Sequence, residues 1–419
     1  MKNKSNAAVR IFAAFILISL SLLTLSGCAI TGDFVASHLE ECDVPPFKHS
    51  KLKSVEVLYR DYYLKDLPSA EELAPKVAAL YFEKYHEIID TGNKSEVTDA
   101  IINAYVSVIG DKYSYYRTAD EHREYDATMS GTYFGIGVLV VHSDEPETVT
   151  VEDVYEGGGA HEAGIKRGDL IIAANGKKLA DVGYDALIEE IRGGDKTTVL
   201  VTVKRGSEEL TVSCERRKVT EQTVRYSINE EKIGYIKISS FKSNTPKQFK
   251  EALEYLDDNG AVAIIYDLRG NGGGYLDALV DVVSCISPLG TTIATFSDGE
   301  MPEVDRTIEH LYLPTVVLCN DRTASAAELF CACMRDFEKL GHFDVTLVGE
   351  KTYGKGVMQR TYPFTDGSSL TITIAYYNPP SGENYDSVGI TPDVTVEMTA
   401  DGDAQLDAAY REVNKLINK

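Results

Sequence analysis

The residues with the most chemical potential lie between Cys319 and Gln359. An apolar strand over 315–318 runs into the turn Cys319-Asn-Asp-Arg-Thr323-Ala-Ser325, and a helix is expected to begin at or near Ser325. That spacing puts a hydroxyl and the amide of Ala326 at a helix N-terminus, where unpaired N–H groups favour developing negative charge. A second strand, over 345–348, delivers Lys355 between Gly354 and Gly356. With no side chains on either flank, another part of the chain can close tightly around the amine. Serine needs a base to become a nucleophile, and lysine can be that base only when neutral. A free lysine titrates at about 10.4, so bringing it towards ~7–8 takes roughly 3–4 kcal/mol of desolvation or positive potential. The pair reads as a serine nucleophile with a lysine base. Each residue alone has a plainer reading, Ser325 as a helix cap and Lys355 as a solvated surface amine.

Other elements must position this pair. Strands are expected over 232–238 and 261–268, bracketing a helix over 246–256. The second strand is an unbroken apolar run, the pattern of a strand buried on both faces. It ends in Asp267-Leu-Arg-Gly-Asn-Gly272-Gly273-Gly274-Tyr275, followed by a helix over 276–285. The glycine run is not a dinucleotide loop, because Tyr275 stands where the third glycine should fall. It is not a phosphate loop either, since no Gly-Lys-Ser/Thr follows. A strand-to-glycine turn with free amides suits an oxyanion site. Further on come a strand over 369–376, a Pro379-Pro380-Ser381-Gly382 turn, Gly389-Ile-Thr-Pro-Asp393 and a terminal helix over 404–417.

Between 131 and 215 the pattern turns to short strands. Phe134-Gly135-Ile136-Gly137 runs into a strand, and Ala163-Gly-Ile-Lys-Arg-Gly-Asp169-Leu-Ile-Ile leads to Asn175-Gly176, a hairpin turn. Leu187, Ile188 and Ile191 share one face of a helix over 184–191. The module resembles a PDZ domain, a fold that takes an extended chain end as an added strand. By that resemblance the amides of Gly135, Ile136 and Gly137 form a nest for a terminal carboxylate.

The ordered set as a whole is more specific than any part. The Asp267–Gly274 loop, Thr323-Ala-Ser325-Ala-Ala-Glu328, Gly354-Lys355-Gly356 with Gln359, and Gly389-Ile-Thr-Pro-Asp follow a PDZ-like module in that order. Together they resemble the carboxyl-terminal processing (tail-specific) peptidases, from about Val55 to Val396. The resemblance implies a serine endopeptidase with Ser325 as nucleophile, Lys355 as general base and Gln359 as its orienting amide. It places the oxyanion amides on Gly273, Gly274 and Ala326, with Glu328 holding the local backbone or Lys355. Gly272, Thr323 and Ala327 depart from the family pattern without removing a side chain assigned to chemistry. The implied fold is α/β plus β: a helical N-terminal region, a PDZ-like β domain and a ClpP/crotonase-like core of stacked ββα units. Substrates would be the C-termini of polypeptides, with no cofactor and no metal.

Composition agrees with this reading. The 419 residues are enough for two or three domains, and a net charge of −23 argues against nucleic acid as a partner. Lys2, Lys4 and Arg10 precede an apolar stretch over 11–25, too short to span a membrane comfortably. It ends Leu25-Ser26-Gly27-Cys28, which resembles a bacterial lipobox whose cysteine takes a lipid. The expected layout is therefore a signal peptide over 1–28 and a tether over 29–50. A helical domain follows over 51–130, then the PDZ-like domain over 131–215 and the peptidase core over 216–419. The helical domain carries Val77, Leu80, Tyr81 and Tyr85, then Val97, Ile101, Tyr105 and Val108, at helical spacing, with Ser95 as an N-cap. The protein would be extracytoplasmic and held at a bacterial membrane by lipid. The six remaining cysteines are scattered and expected to be buried thiols. A homo-oligomer is left open. Two other readings stay in play, a peptide-binding scaffold without activity and a serine hydrolase using a histidine such as His310 or His342.

Overall fold

A computed structural model of the chain describes residues 33–85, 93–144, 147–193, 196–288, 291–297, 299–300, 312–399 and 402–419. Cys28 and His310 lie outside the described residues. The chain divides into two units, residues up to Arg60 with Leu67–Gly110, and Asp61–Asp66 with Asp111–Lys419. Among the described residues no helix is long and apolar enough to cross a membrane.

The first unit is helical. Helices His49–Tyr62, Ala70–Tyr85 and Lys94–Ile109 bury Leu52, Val55, Tyr59, Val77, Tyr81, Ile101 and Tyr105 at the expected spacing. The last of these is capped by Asn93, whose side chain accepts from the amide of Ser95, so the cap falls two residues before the expected one. The segment expected to be a tether behaves differently over its described part. Phe34, Val35, Leu39 and Phe47 are buried, and Val35–His38 is a short helix. Its first amides, of Val35 and Ala36, donate to the buried Glu56 carboxylate at 2.8 and 3.0 Å. Polar neighbours in sequence hid a few apolar anchors that only a packed partner makes useful. The helical domain also ends earlier than expected. Tyr115–Arg117 is a strand paired with 369–371 of the second unit, too short to leave a periodic signal.

In the second unit, residues 138–215 form an antiparallel sheet. Val138–Asp144, Glu147–Val154, Leu170–Ala174, Thr198–Arg205 and Glu208–Glu215 lie side by side in that order. Val149, Val151, Ile171, Val199, Val201 and Val203 are fully buried against Leu187 and Ile191 of the helix Leu179–Arg192. Asp169 is buried and takes a two-point bond from Arg205, Nε to Oδ1 and Nη2 to Oδ2, both 2.7 Å. That pairing holds its carboxyl below the usual range.

The rest of the unit is built on a six-stranded sheet, 224–228, 233–238, 263–267, 315–319, 345–349 and 394–395 in spatial order. Only the first pair is antiparallel. Every residue of Ala263–Asp267 and Thr315–Cys319 is buried, because both faces are covered. Helices Thr245–Asp258, Leu276–Ser284 and Ala326–Lys339 pack on one face, and Ala404–Ile417 on the other. A second sheet centres on Ser369–Asn378, which pairs with Tyr115–Arg117, Val357–Pro363 and Thr295–Phe296.

Candidate active site

The three site segments leave the same end of three adjacent parallel strands. Asp267 pairs with Leu318, and Leu318 with Val348, so strands 263–267, 315–319 and 345–349 finish level. Loops at the carboxyl ends of such strands converge in one crevice. The glycine turn, the Ser325 turn and the Lys355 loop meet there for that reason.

The turns are laced to each other by buried polar groups. Asn271 is fully buried; its Nδ2 donates to the Ile238 carbonyl and its Oδ1 accepts from the Gly273 amide at 2.8 Å. The Ala324 amide donates to the Asn271 carbonyl at 2.9 Å, joining the glycine turn to the residue before Ser325. Asn320 Oδ1 accepts from the Gly270 amide at 2.9 Å. The hydroxyl of Thr323, fully buried, donates to the Leu268 carbonyl at 3.0 Å. Threonine keeps the hydroxyl that this tie requires, so the departure from the family pattern at 323 is silent. At Gly274 a Cβ would stand 2.1 Å from the Phe241 carbonyl oxygen. Only glycine allows that approach. The Arg269 guanidinium anchors the start of the loop, bonded to Asp267 and Asp403.

Ser325 is the N-cap of the helix Ala326–Lys339 and has φ +58° and ψ −121°. A positive φ is costly for a residue with a side chain, on the order of 1–3 kcal/mol, and such strain gathers at functional positions. The strain points the serine out of its turn. Its Oγ lies 3.4 Å from Tyr377 Oη.

Glu328, fully buried one turn into the helix, organises the rest. Its Oε2 accepts from the amides of Ser325 and Lys355 at 2.9 and 2.8 Å. Its Oε1 accepts from Thr352 Oγ1 and the Gly354 amide at 2.6 and 2.7 Å. One carboxylate thus fixes the Ser325 turn and the Lys355 loop together. The loop is closed from outside by residues 384–390. Asp386 accepts from the Gly356 amide, and Ile390 exchanges bonds with Thr352. A Cβ on Gly356 would come within 2.7 Å of Asn384 Oδ1. The flanking glycines therefore permit the tight closure that their spacing suggested.

Lys355 is largely buried, and burial lowers its amine below the ordinary lysine range against the opposing charge of Asp111. Its Nζ sits over the Tyr113 ring, 4.4 Å from the centre. Among the hydrogen bonds of the described residues none joins Ser325 Oγ to Lys355 Nζ. The Ser325 turn and the Lys355 loop are brought together by their backbones, with the amine turned onto the aromatic ring. Among the hydrogen bonds of the described residues none joins Gln359 to the lysine amine. Gln359 Nε2 donates to the Val357 carbonyl and Thr373 Oγ1 at 3.2 and 3.3 Å, beside a bulge at 358–359. The bulge rotates the strand, and sequence spacing does not register it.

Of the three expected oxyanion amides, that of Gly273 is engaged by Asn271. The amides of Gly274 and Ala326 have no acceptor among the described residues. At the other candidate site, the carbonyls of Ile136 and Gly137 are tied to the amides of Ala160 and Tyr155 at 2.8 and 2.9 Å. The amides of Ile136 and Gly137 have no acceptor among the described residues. They lie at the start of the edge strand Val138–Asp144, whose His142 stacks on Tyr184 of the neighbouring helix with ring centres 4.0 Å apart. Sequence reasoning missed Asn271, Asn320, Tyr113 and Tyr377. Only the Tyr376-Tyr377 pair, just ahead of the Pro-Pro-Ser-Gly turn, gave any signal.

Residues 232–396 match the sequence model of peptidase family S41, and residues 126–204 match that of the PDZ domain. Two stretches of the chain are thus similar to known families, the first to peptidase family S41 and the second to the PDZ domain. A "probable CtpA-like serine protease" of Staphylococcus aureus strain MRSA252 is 32% identical over 310 residues, 73% of this chain and 61% of the relative. Its counterpart in Staphylococcus haemolyticus strain JCSC1435 is 31% identical over 309 residues, with the same shares. The chain thus spans under two thirds of the length of the curated relatives it matches. A solved lipoprotein from Streptococcus agalactiae shares the fold at 12% identity, with TM-score 0.50, covering 93% of this chain and 99% of that one.

Proposed function

We propose that this protein is a serine endopeptidase that captures the C-terminal ends of extracytoplasmic polypeptides in its PDZ domain and cleaves them nearby. The observation that carries it is the shared carboxylate of Glu328, which holds a strained Ser325 and a desolvated Lys355 at one sheet end. In this reading the amine leaves the Tyr113 ring and takes the Ser325 proton as Oγ attacks the peptide carbonyl. The oxyanion forms against the amides of Gly274 and Ala326, with Gly273 shaping the turn. Lys355 passes its proton to the leaving amine, and water then releases the acyl group from Ser325. Gln359 can orient the lysine only after leaving Val357. The open amides of Ile136 and Gly137, next to Gly135, receive the substrate carboxylate. Cys28 carries the lipid that holds the protein at the membrane.

The test is cleavage of an unstructured protein with an apolar C-terminus by wild type, Ser325→Ala and Lys355→Ala. Both variants are expected to lose at least about a thousandfold in kcat/KM. Wild-type kcat/KM should rise with pH, because only the deprotonated amine accepts the serine proton, and the midpoint should lie below that of a free lysine. Activity that survives Lys355→Ala would favour a histidine base. His342 is poorly placed for that, following the far end of a 14-residue helix, about 20 Å from Ser325 at the rise of an α-helix. No cleavage by wild type would leave a peptide-binding scaffold.

A further inference from the structure

We propose that Tyr377 is a positioning residue for Ser325 and Lys355, gripping the lysine loop beside the serine hydroxyl. The proposal rests on the reading of those two residues as nucleophile and base. Tyr377 lies near the end of the strand Ser369–Asn378, beside the strand that begins at Val357. Its amide donates to the Gly356 carbonyl at 3.2 Å, and its hydroxyl donates to the Lys355 carbonyl at 2.8 Å. Two consecutive carbonyls of the lysine loop are therefore held by one residue.

The same hydroxyl lies 3.4 Å from Ser325 Oγ, with Tyr377 Oη as the donor. The phenol proton therefore faces two acceptors, and the shorter bond, to the Lys355 carbonyl, is the stronger. One hydroxyl thus holds the lysine loop directly beside the serine oxygen. The ring is 3% exposed and packs edge-on against Tyr385. Burial pushes the phenol well above its ordinary range, so Tyr377 stays neutral and is not itself the base.

The test compares Tyr377→Phe with Tyr81→Phe in the full chain. The Tyr81 hydroxyl is also buried and has no hydrogen-bond partner among the described residues, and it lies in the helix Ala70–Tyr85 of the first unit. Tyr377→Phe is expected to lower kcat by about 10- to 100-fold with KM within about twofold of wild type. The pH midpoint of kcat/KM should move upward as the loosened lysine gains water. Tyr81→Phe should leave both unchanged. Equal losses in the two variants, or a lower rate at an unmoved midpoint, would reduce Tyr377 to a packing role and overturn the proposal. If Tyr377→Phe does not fold, site-specific 3-fluorotyrosine at 377 keeps the shape and eases ionisation of the phenol. Loss of rate on the alkaline side is then expected, and an unchanged alkaline side overturns the idea. Failure here is separable from failure of the dyad. An active wild type, an inactive Lys355→Ala and an unimpaired Tyr377→Phe would remove the tyrosine alone.

Discussion

At Ser325 the backbone conformation and the chemistry oppose each other. A serine at φ +58° is strained, and the strain is tolerated because the surrounding bonds from Glu328, Asn271 and Ala324 fix the turn. Glycine reaches that conformation without penalty, whereas alanine does not. Ser325→Gly should therefore be more stable than Ser325→Ala by about 1 kcal/mol, although neither carries a hydroxyl. Chemical denaturation of the two variants, fitted with a common slope, measures the difference. Equal stability would mean that the turn relaxes and stores no strain. The residue types at 325 and 355 marked them in the sequence as a candidate nucleophile and base. Their present geometry was not, because the Tyr113 ring that holds the amine lies more than two hundred residues away in the chain.

Between elements, the decisive connection is the Glu328 carboxylate. It joins a helix N-terminus to the loop after the next strand through four donors, two on each oxygen. Glu328→Gln keeps the shape but sets an NH2 group against two donors, whichever way the amide turns. The expected cost is about 2–4 kcal/mol of stability, with loss of hydrolysis, because buried donors are left without an acceptor. Thermal unfolding and the peptide assay check the two halves together, and a variant of wild-type stability would show that water replaces the carboxylate. The sequence placed the strands over 315–319 and 345–349 and the intervening helix closely, since apolar runs and helical spacing are local signals. It missed the bulge at 358–359, a consequence of pairing with 369–378. Beside that bulge the Gln359 amide bonds to Val357 and Thr373, partners the four-residue spacing does not suggest.

On the scale of the whole molecule, the first unit carries its own pH dependence. Burial raises the Glu56 carboxyl from 4.5 to about 7, because the ionised form is desolvated beyond what two backbone amides restore. The folded state therefore holds a proton that the unfolded state has released. The stability this contributes is fully present below about 4.5 and is lost as pH rises through about 7. The unfolding midpoint should fall between pH 5 and pH 8, by the equivalent of roughly 1–3 kcal/mol. Glu56→Gln should flatten that window, and a slope unchanged in the variant would assign the effect elsewhere.

The sequence alone determined the order of the modules, the element types and the choice of Ser325 and Lys355 as candidates. Those depend on local periodicity, glycine placement and the intrinsic chemistry of serine and lysine. Only the tertiary structure decided which groups meet. Parallel strands ending level brought three distant loops into one crevice. One buried carboxylate and one buried phenol then fixed the Ser325 turn and the Lys355 loop. Such contacts are set by the packing of residues far apart in the chain, and no local pattern encodes them.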